Sequence, residues 1–258
     1  MTHSLVIEVL YPEIANLHGD NANITYLAQC RPDARIIRTS LTDTPAFARE
    51  RVDLVYLGPM TERGQLKAIE RLMPFRNRIE ELIESGTSFL FTHNALEVLG
   101  SRIRNDEMGY DVPGVGTFDI ESTVSMFGRY NGKVMGSVSG VPAEHPLVGY
   151  KSQFSMLSVG RSLEGFFTAQ RGIGRNTTTP IEGVRAGNFI GTSLLGPLLV
   201  MNPHYTRSLL TQLDPHSEPV LAHEAFAIAA YDARLRDFRD AKRWHAFENV
   251  ASDSASSH

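Results

Sequence analysis

Ser88-Phe89-Leu90-Phe91-Thr92, running on into His93-Asn94-Ala95-Leu96-Glu97-Val98-Leu99-Gly100, is the stretch that decides the fold. Gly86 closes the segment before it, the Phe-Leu-Phe centre reads as a buried strand, and Ala95 onward reads as a helix that Gly100 stops. A strand that passes through a tight turn into a helix is the repeating corner of a doubly wound α/β sheet.

The same alternation extends towards the N-terminus. Leu5 to Leu10 is mostly apolar and ends at Tyr11-Pro12, Asn21 to Cys30 reads as a helix, and Arg35–Thr39 and Val52–Leu57 read as strands. Gly58-Pro59 breaks the last of these. Thr61 is placed to cap a segment from Glu62 to Glu84 whose Leu66, Ile69, Leu72, Ile79, Leu82 and Ile83 keep near-helical spacing. Pro74 should divide that segment.

Towards the C-terminus the pattern changes. From about Gly109 to Gly196 glycines are frequent, helices are hard to find and short β-runs appear, such as Lys133–Val138 and Phe189–Leu194; the stretch reads as the second half of the same domain, with β-excursions. Asn202-Pro203 should start a helix with Asn as N-cap. Ser217-Glu218-Pro219 should start a last, Ala-rich helix towards Trp244. The expected organisation is one α/β domain over residues 1–215, a helical extension of it over 216–250, and a flexible tail over 251–258.

Bulk properties narrow the function classes. A formal net charge of −4 offers no basic field for nucleic acid. Arg234, Arg236, Arg239, Lys242 and Arg243 alternate with Asp232, Asp237 and Asp240, the pattern of a solvated helix face. Cys30 is the sole cysteine, so neither an internal disulfide nor a cysteine metal cluster is available. The start has no basic, apolar leader pattern, and no stretch reaches the ~18 apolar residues of a membrane span. A soluble, cytoplasmic protein without membrane insertion is expected.

Four ordered motifs carry a family resemblance. They are Leu10-Tyr11-Pro12-Glu13 with Asn16-Leu17-His18-Gly19-Asp20 and Asn23-Ile24; Asp53 through Gly58 with Glu62 and Gln65; Gly86 through Gly100; and Gly172-Ile173-Gly174-Arg175-Asn176, Glu182-Gly183, Gly187 through Thr192, Gly196-Pro197-Leu198-Leu199 and Asn202-Pro203. In these stretches the chain resembles class I glutamine amidotransferases of the CobB/CobQ-like type, most of all the GatD-type subunits of lipid II isoglutaminyl synthase. The resemblance implies a flavodoxin-like α/β fold with a mostly parallel central sheet flanked by helices. It also implies a heterodimer with a MurT-like Mur ligase, which amidates the D-glutamate of lipid II with ATP.

The chemistry that the resemblance implies does not carry over. Counted back from Gly100, the nucleophilic cysteine of the family's Cys-Gly-Gly-x-Gln turn is His93, its first glycine is Asn94 and its glutamine is Glu97. The family's Gly-Thr-x-x-His-Gly-Pro is here Gly191-Thr192-Ser193-Leu194-Leu195-Gly196-Pro197, so Leu195 holds the place of the catalytic base. A leucine transfers no proton. At the oxyanion turn, Gly58 is followed by Pro59, which has no N–H to donate. The family's Gly-Phe-Glu-Asn-His appears as Gly149-Tyr150-Lys151-Ser152-Gln153, with opposite charge at the carboxylate.

No residue offers an evident substitute. Cys30 reads as a packing residue at a helix end, and Thr92 and Ser193 as structural hydroxyls. His93 and Glu97 stand four apart on the expected helix, a metal-ligand spacing, yet a capping or hydrogen-bonded histidine accounts for it without a metal. No metal and no cofactor are expected. The leading expectation is therefore a non-catalytic, GatD-like subunit. Two alternatives stay open: an active amidotransferase or hydrolase using His93, and a sensing module for glutamine or a related molecule through Gly58, Asn94, Glu97, Lys151 and Gln153.

Overall fold

A computed structural model describes residues 4–243. The first half alternates strand and helix: β1 (Val6–Leu10), α1 (Ala22–Cys30), β2 (Arg35–Thr39), β3 (Leu54–Leu57), α2 (Glu62–Leu72), α3 (Arg76–Glu84), β4 (Ser88–Thr92) and α4 (Ala95–Val98). Ten strands follow: β5 (Arg102–Asn105), β6 (Tyr110–Pro113), β7 (Ile120–Val124), β8 (Tyr130–Val138), β9 (Leu147–Gln153), β10 (Ser155–Val159), β11 (Phe167–Arg171), β12 (Ile181–Glu182), β13 (Val184–Ala186) and β14 (Phe189–Thr192). The chain closes with α5 (Leu198–Met201), α6 (Pro203–Leu213) and α7 (Glu224–Arg239).

The central sheet has the order β13-β14-β4-β3-β1-β2. Every neighbouring pair in it is parallel except β13 with β14. Both faces are covered, as a parallel sheet requires. Val55, Leu57, Phe89, Phe91 and Phe189 pack against α2, α3 and α4, while Leu54, Tyr56, Leu90 and Ile190 pack against α1, α5 and α6. The two remaining sheets, β10-β7-β5-β6 and β12-β11-β8-β9, are the β-excursions. Each adds to one face, Ile120 and Leu157 on the first side and Val134 and Phe167 on the second.

Local signals in the sequence largely produce these elements. The Thr61 side chain accepts from Gly64 N–H at 3.1 Å and caps α2. A single turn of tighter helix at Met73–Phe75, containing Pro74, separates α2 from α3. Two details depart from expectation. Asn202 precedes α6, but its side chain does not cap it; the carboxamide instead bonds Val148 N–H at 2.8 Å and Val148 C=O at 2.9 Å, stitching α6 to β9. The last helix begins at Glu224 and not near Ser217, because Ser217 closes a turn onto Asp214 at 2.6 Å and Arg207 holds the Pro219 carbonyl at 2.9 Å. Left-handed His223, at φ 52°, then turns the chain into α7.

Helix α7 lies on β8 and β9, where Tyr231, Leu235 and Phe238 bury against Met135 and Val148. Its charged residues are partly tethered. Lys133 reaches Asp237 at 2.5 Å, and Arg234 donates to the Met201 carbonyl at 3.1 Å. The expected tail over 251–258 and the end of the helical extension beyond residue 243 lie outside the described residues.

Candidate active site

The elbow forms where β4 ends. Ser88 through Thr92 are buried along the whole strand, and the chain reverses at His93, whose φ of 54° is left-handed. A residue with a Cβ is strained there, and such strain belongs to the turn that lifts a nucleophile above a sheet. Helix α4 starts only at Ala95. His93 therefore precedes the helix and does not share a helical face with Glu97, which removes the i, i+4 basis for a metal pair. Among the described residues no group of three or more His, Cys, Asp or Glu side chains is arranged to hold a metal.

His93 Nε2 lies 2.9 Å from the Ser152 carbonyl of β9. A carbonyl only accepts, so Nε2 carries the proton. Burial pushes the imidazole pKa down, more than the Ser152 contact raises it, which favours the neutral ring. Beneath the elbow, Thr92 and Tyr56 both donate to the buried carboxylate of Asp20. The Thr92 hydroxyl is thereby committed to structure. Burial pushes the Asp20 pKa up, against the effect of those two hydrogen bonds.

The turn after β3 is filled by the protein itself. Gly58 is pressed against the Ala15 carbonyl, where an added Cβ would stand 2.6 Å from the oxygen. Pro59 has no N–H. The next one, Met60 N–H, is taken by Asn94 Oδ1 at 3.1 Å, while Asn94 Nδ2 donates to Met60 C=O at 2.8 Å. Gln65 braces this arrangement, donating to the Asn94 carbonyl at 2.8 Å and to Glu97 Oε2 at 3.3 Å. Glu97 also accepts from the Ser155 hydroxyl. Burial raises its pKa to about 7, despite both hydrogen bonds.

These contacts leave little space. The cavity bounded by Gln65, His93, Asn94, Glu97 and Ser155 measures about 30 Å³. That is about the volume of one water, against roughly 300–1,000 Å³ for small-molecule sites.

Leu195 lies beyond β9, its N–H donating to the Tyr150 carbonyl at 2.8 Å. With Tyr150 and Ser152 it lines a separate pocket of about 310 Å³. Ser152 thus stands between the elbow and Leu195. The Lys151 ammonium is fully buried: it donates to the Gly174 carbonyl at 2.5 Å and pairs with Glu182 at 3.3 Å. Its pKa is lowered by burial, with Glu182 opposing that shift. Gln153 is buried and donates to the Ser155 carbonyl at 2.8 Å.

The structure therefore gathers His93, Asn94 and Glu97 around the turn that begins at Gly58, and leaves Leu195, Lys151 and Gln153 outside that cluster. The sequence reading missed Asp20, Met60, Gln65, Ser155 and Glu182 as site-forming residues. Asp20, Gln65 and Glu182 stood within the motifs, but nothing local marked their partners.

Comparison with known proteins gives the family. The family model of the CobB/CobQ-like glutamine amidotransferase domain matches residues 6–202. The chain belongs to that family. Among CobB/CobQ-like relatives, the GatD subunit of lipid II isoglutaminyl synthase (glutamine-hydrolyzing) from Staphylococcus aureus (strain N315) is 27% identical over 214 residues, covering 81% of this chain and 84% of that protein. PurLQS from Thermotoga maritima superposes with a TM-score of 0.57 at 15% identity, over 82% of this chain and 100% of that one. A second glutamine amidotransferase from Thermotoga maritima gives 0.50 at 12% identity, over 90% and 93%. These two likenesses establish the fold, and the sequence relative agrees with the resemblance read from the motifs.

Proposed function

We propose that this CobB/CobQ-like chain is a non-catalytic, GatD-like subunit that pairs with a MurT-like Mur ligase in the cytoplasm and serves amidation of the D-glutamate of lipid II. The likeness to GatD supports the pathway and the pairing. The elbow supports the absence of glutaminase chemistry: an imidazole tied to Ser152 replaces the thiol, and the cavity around it has room for about one water. That occluded elbow carries the reading. Acyl transfer needs a nucleophile, a base and oxyanion donors around one carbonyl. Here the nucleophile's place is taken by a neutral imidazole, the base's by a leucine, and the donors are missing or already bonded. In this reading the subunit stabilises or regulates the ligase, which draws on free ammonia.

The test is to co-express the chain with a MurT-like Mur ligase from the same organism and to purify through a tag on either one. A stable one-to-one complex is expected. It should amidate a lipid II substrate with ammonium and ATP, and should release no glutamate from glutamine beyond the ligase alone. Sustained glutamate release that disappears in His93→Ala would overturn the non-catalytic assignment. A chain that never associates with the ligase would overturn the pairing.

A further inference from the structure

A cavity of about 340 Å³ opens between the end of β8, the β13–β14 edge and α6, and it shares no residue with the elbow. Phe166 and Tyr205 line it in edge-to-face contact at 5.3 Å, with Ile190 and Leu209 beside them. Polar side chains share the lining, among them Arg185 and Ser208. The Arg185 side chain is half-buried and forms neither a hydrogen bond nor an ion pair among the described residues. Glu164 is bridged to it through the backbone alone. The Tyr205 ring is buried, and its hydroxyl has no hydrogen-bond partner among the described residues. Ser208, also without a side-chain partner there, faces Gly140 across the rim.

Arg31, Arg35, Arg51, Arg102 and Arg207 are each matched by a carboxylate. Arg185 has no carboxylate among the residues lining its cavity. A guanidinium that lines a cavity beside aromatic rings, with no carboxylate in that lining, is suited to a planar anion, which it can grip with two parallel N–H bonds. A cavity at the low end of the usual size range, lined by aromatic and aliphatic side chains together with polar groups, is the form of a small-molecule site. We propose that this cavity binds a small carboxylate with an apolar body. Arg185 grips the carboxylate, the Tyr205 and Ser208 hydroxyls complete its hydrogen bonding, and Phe166, Tyr205 and Ile190 enclose the body. The proposal stands whether or not the elbow hydrolyses glutamine.

Benzoate and hexanoate are suitable probes, with benzamide as the uncharged control, titrated into the full-length protein by ligand-observed NMR and calorimetry. Saturable binding of a carboxylate probe with Kd on the order of 1 mM is expected. Arg185→Gln should weaken it at least tenfold, the loss expected for a charge-assisted hydrogen bond. Arg185 makes no internal bond that the substitution would break, so thermal melting should be unchanged. Ser208→Leu blocks the cavity from α6 with a residue that favours helix, and should abolish binding by a separate route. Failure of both carboxylates to bind, equal binding of benzamide, or full affinity in Arg185→Gln and Ser208→Leu would each overturn the proposal.

Discussion

Asn94 closes on both backbone polar groups of Met60, its Oδ1 accepting from the N–H at 3.1 Å and its Nδ2 donating to the C=O at 2.8 Å. The residue that follows the elbow thus consumes the N–H that follows Pro59, and a glycine in its place could not. Restoring reactive side chains alone should therefore fail. In His93→Cys/Leu195→His, glutamate release is expected to stay within about tenfold of the unaltered protein, because a missing oxyanion donor alone costs about 10²–10³ in rate. Adding Asn94→Gly frees Met60 N–H and enlarges the cavity, and is the change that should first raise the rate. A coupled glutamate assay across the three proteins measures this. Substantial turnover by the double variant would show that the Asn94 clamp is not the obstacle.

Glu97 gives the elbow a pH dependence. Its folded pKa is raised to about 7 from 4.5, chiefly by burial, so the native state binds this proton more tightly than the unfolded chain. The stabilising contribution is fully present below pH 4.5 and is lost as pH rises through about 7. The size implied is on the order of 3 kcal/mol. Glu97→Gln keeps the shape and the contacts with Gln65 and Ser155 while removing the titration. Its melting temperature should match the unaltered protein near pH 5 and exceed it at pH 8. Identical curves for the two proteins across that range would mean that Glu97 ionises freely where it sits.

Signals confined to a few neighbouring residues were legible in the sequence. The Phe89-Leu90-Phe91 strand, the Thr61 cap, the break at Pro74 and the degenerate elbow all depend on local pattern, and each lies where that pattern puts it. Contacts between distant segments were not legible. Nothing near Asn94 marks Met60 as its partner, and nothing near Lys151 points to Glu182, because each pair is set by packing of separate strands. The late start of α7 has the same origin. Ser217 and Pro219 have the composition of a helix start, but Asp214 and Arg207 hold them in a turn.

Cys30 should behave as an inert thiol. It is buried at the end of α1, Ala222 N–H donates to its Sγ at 3.2 Å, and burial pushes its pKa up, which suppresses the reactive thiolate. Native protein should resist iodoacetamide at pH 8 and react fully in guanidinium chloride. Mass spectrometry of the alkylated protein reads both states, and rapid native labelling would place Cys30 in a far more open setting.

The buried pair Lys151–Glu182 should be worth more to the fold than to any ligand. Glu182 holds two further groups in place: its carboxylate accepts from the Thr192 hydroxyl at 2.9 Å and from Ser193 N–H at 2.9 Å, and both lie on the segment leading to Leu195. Lys151 adds the Gly174 carbonyl on the other side. Removing one partner leaves the other charge buried without compensation, which costs about 3–5 kcal/mol, while replacing both charges is often far milder. Lys151→Met and Glu182→Gln should each lower stability in urea by that order. Glu182→Gln should do the lesser damage, since its carboxamide can still accept from Thr192 or Ser193. The double variant Lys151→Met/Glu182→Gln should recover part of the loss, giving a clear non-additive cycle. Additive losses would mean that the two charges are not coupled, and that Lys151 is free to meet a ligand after all.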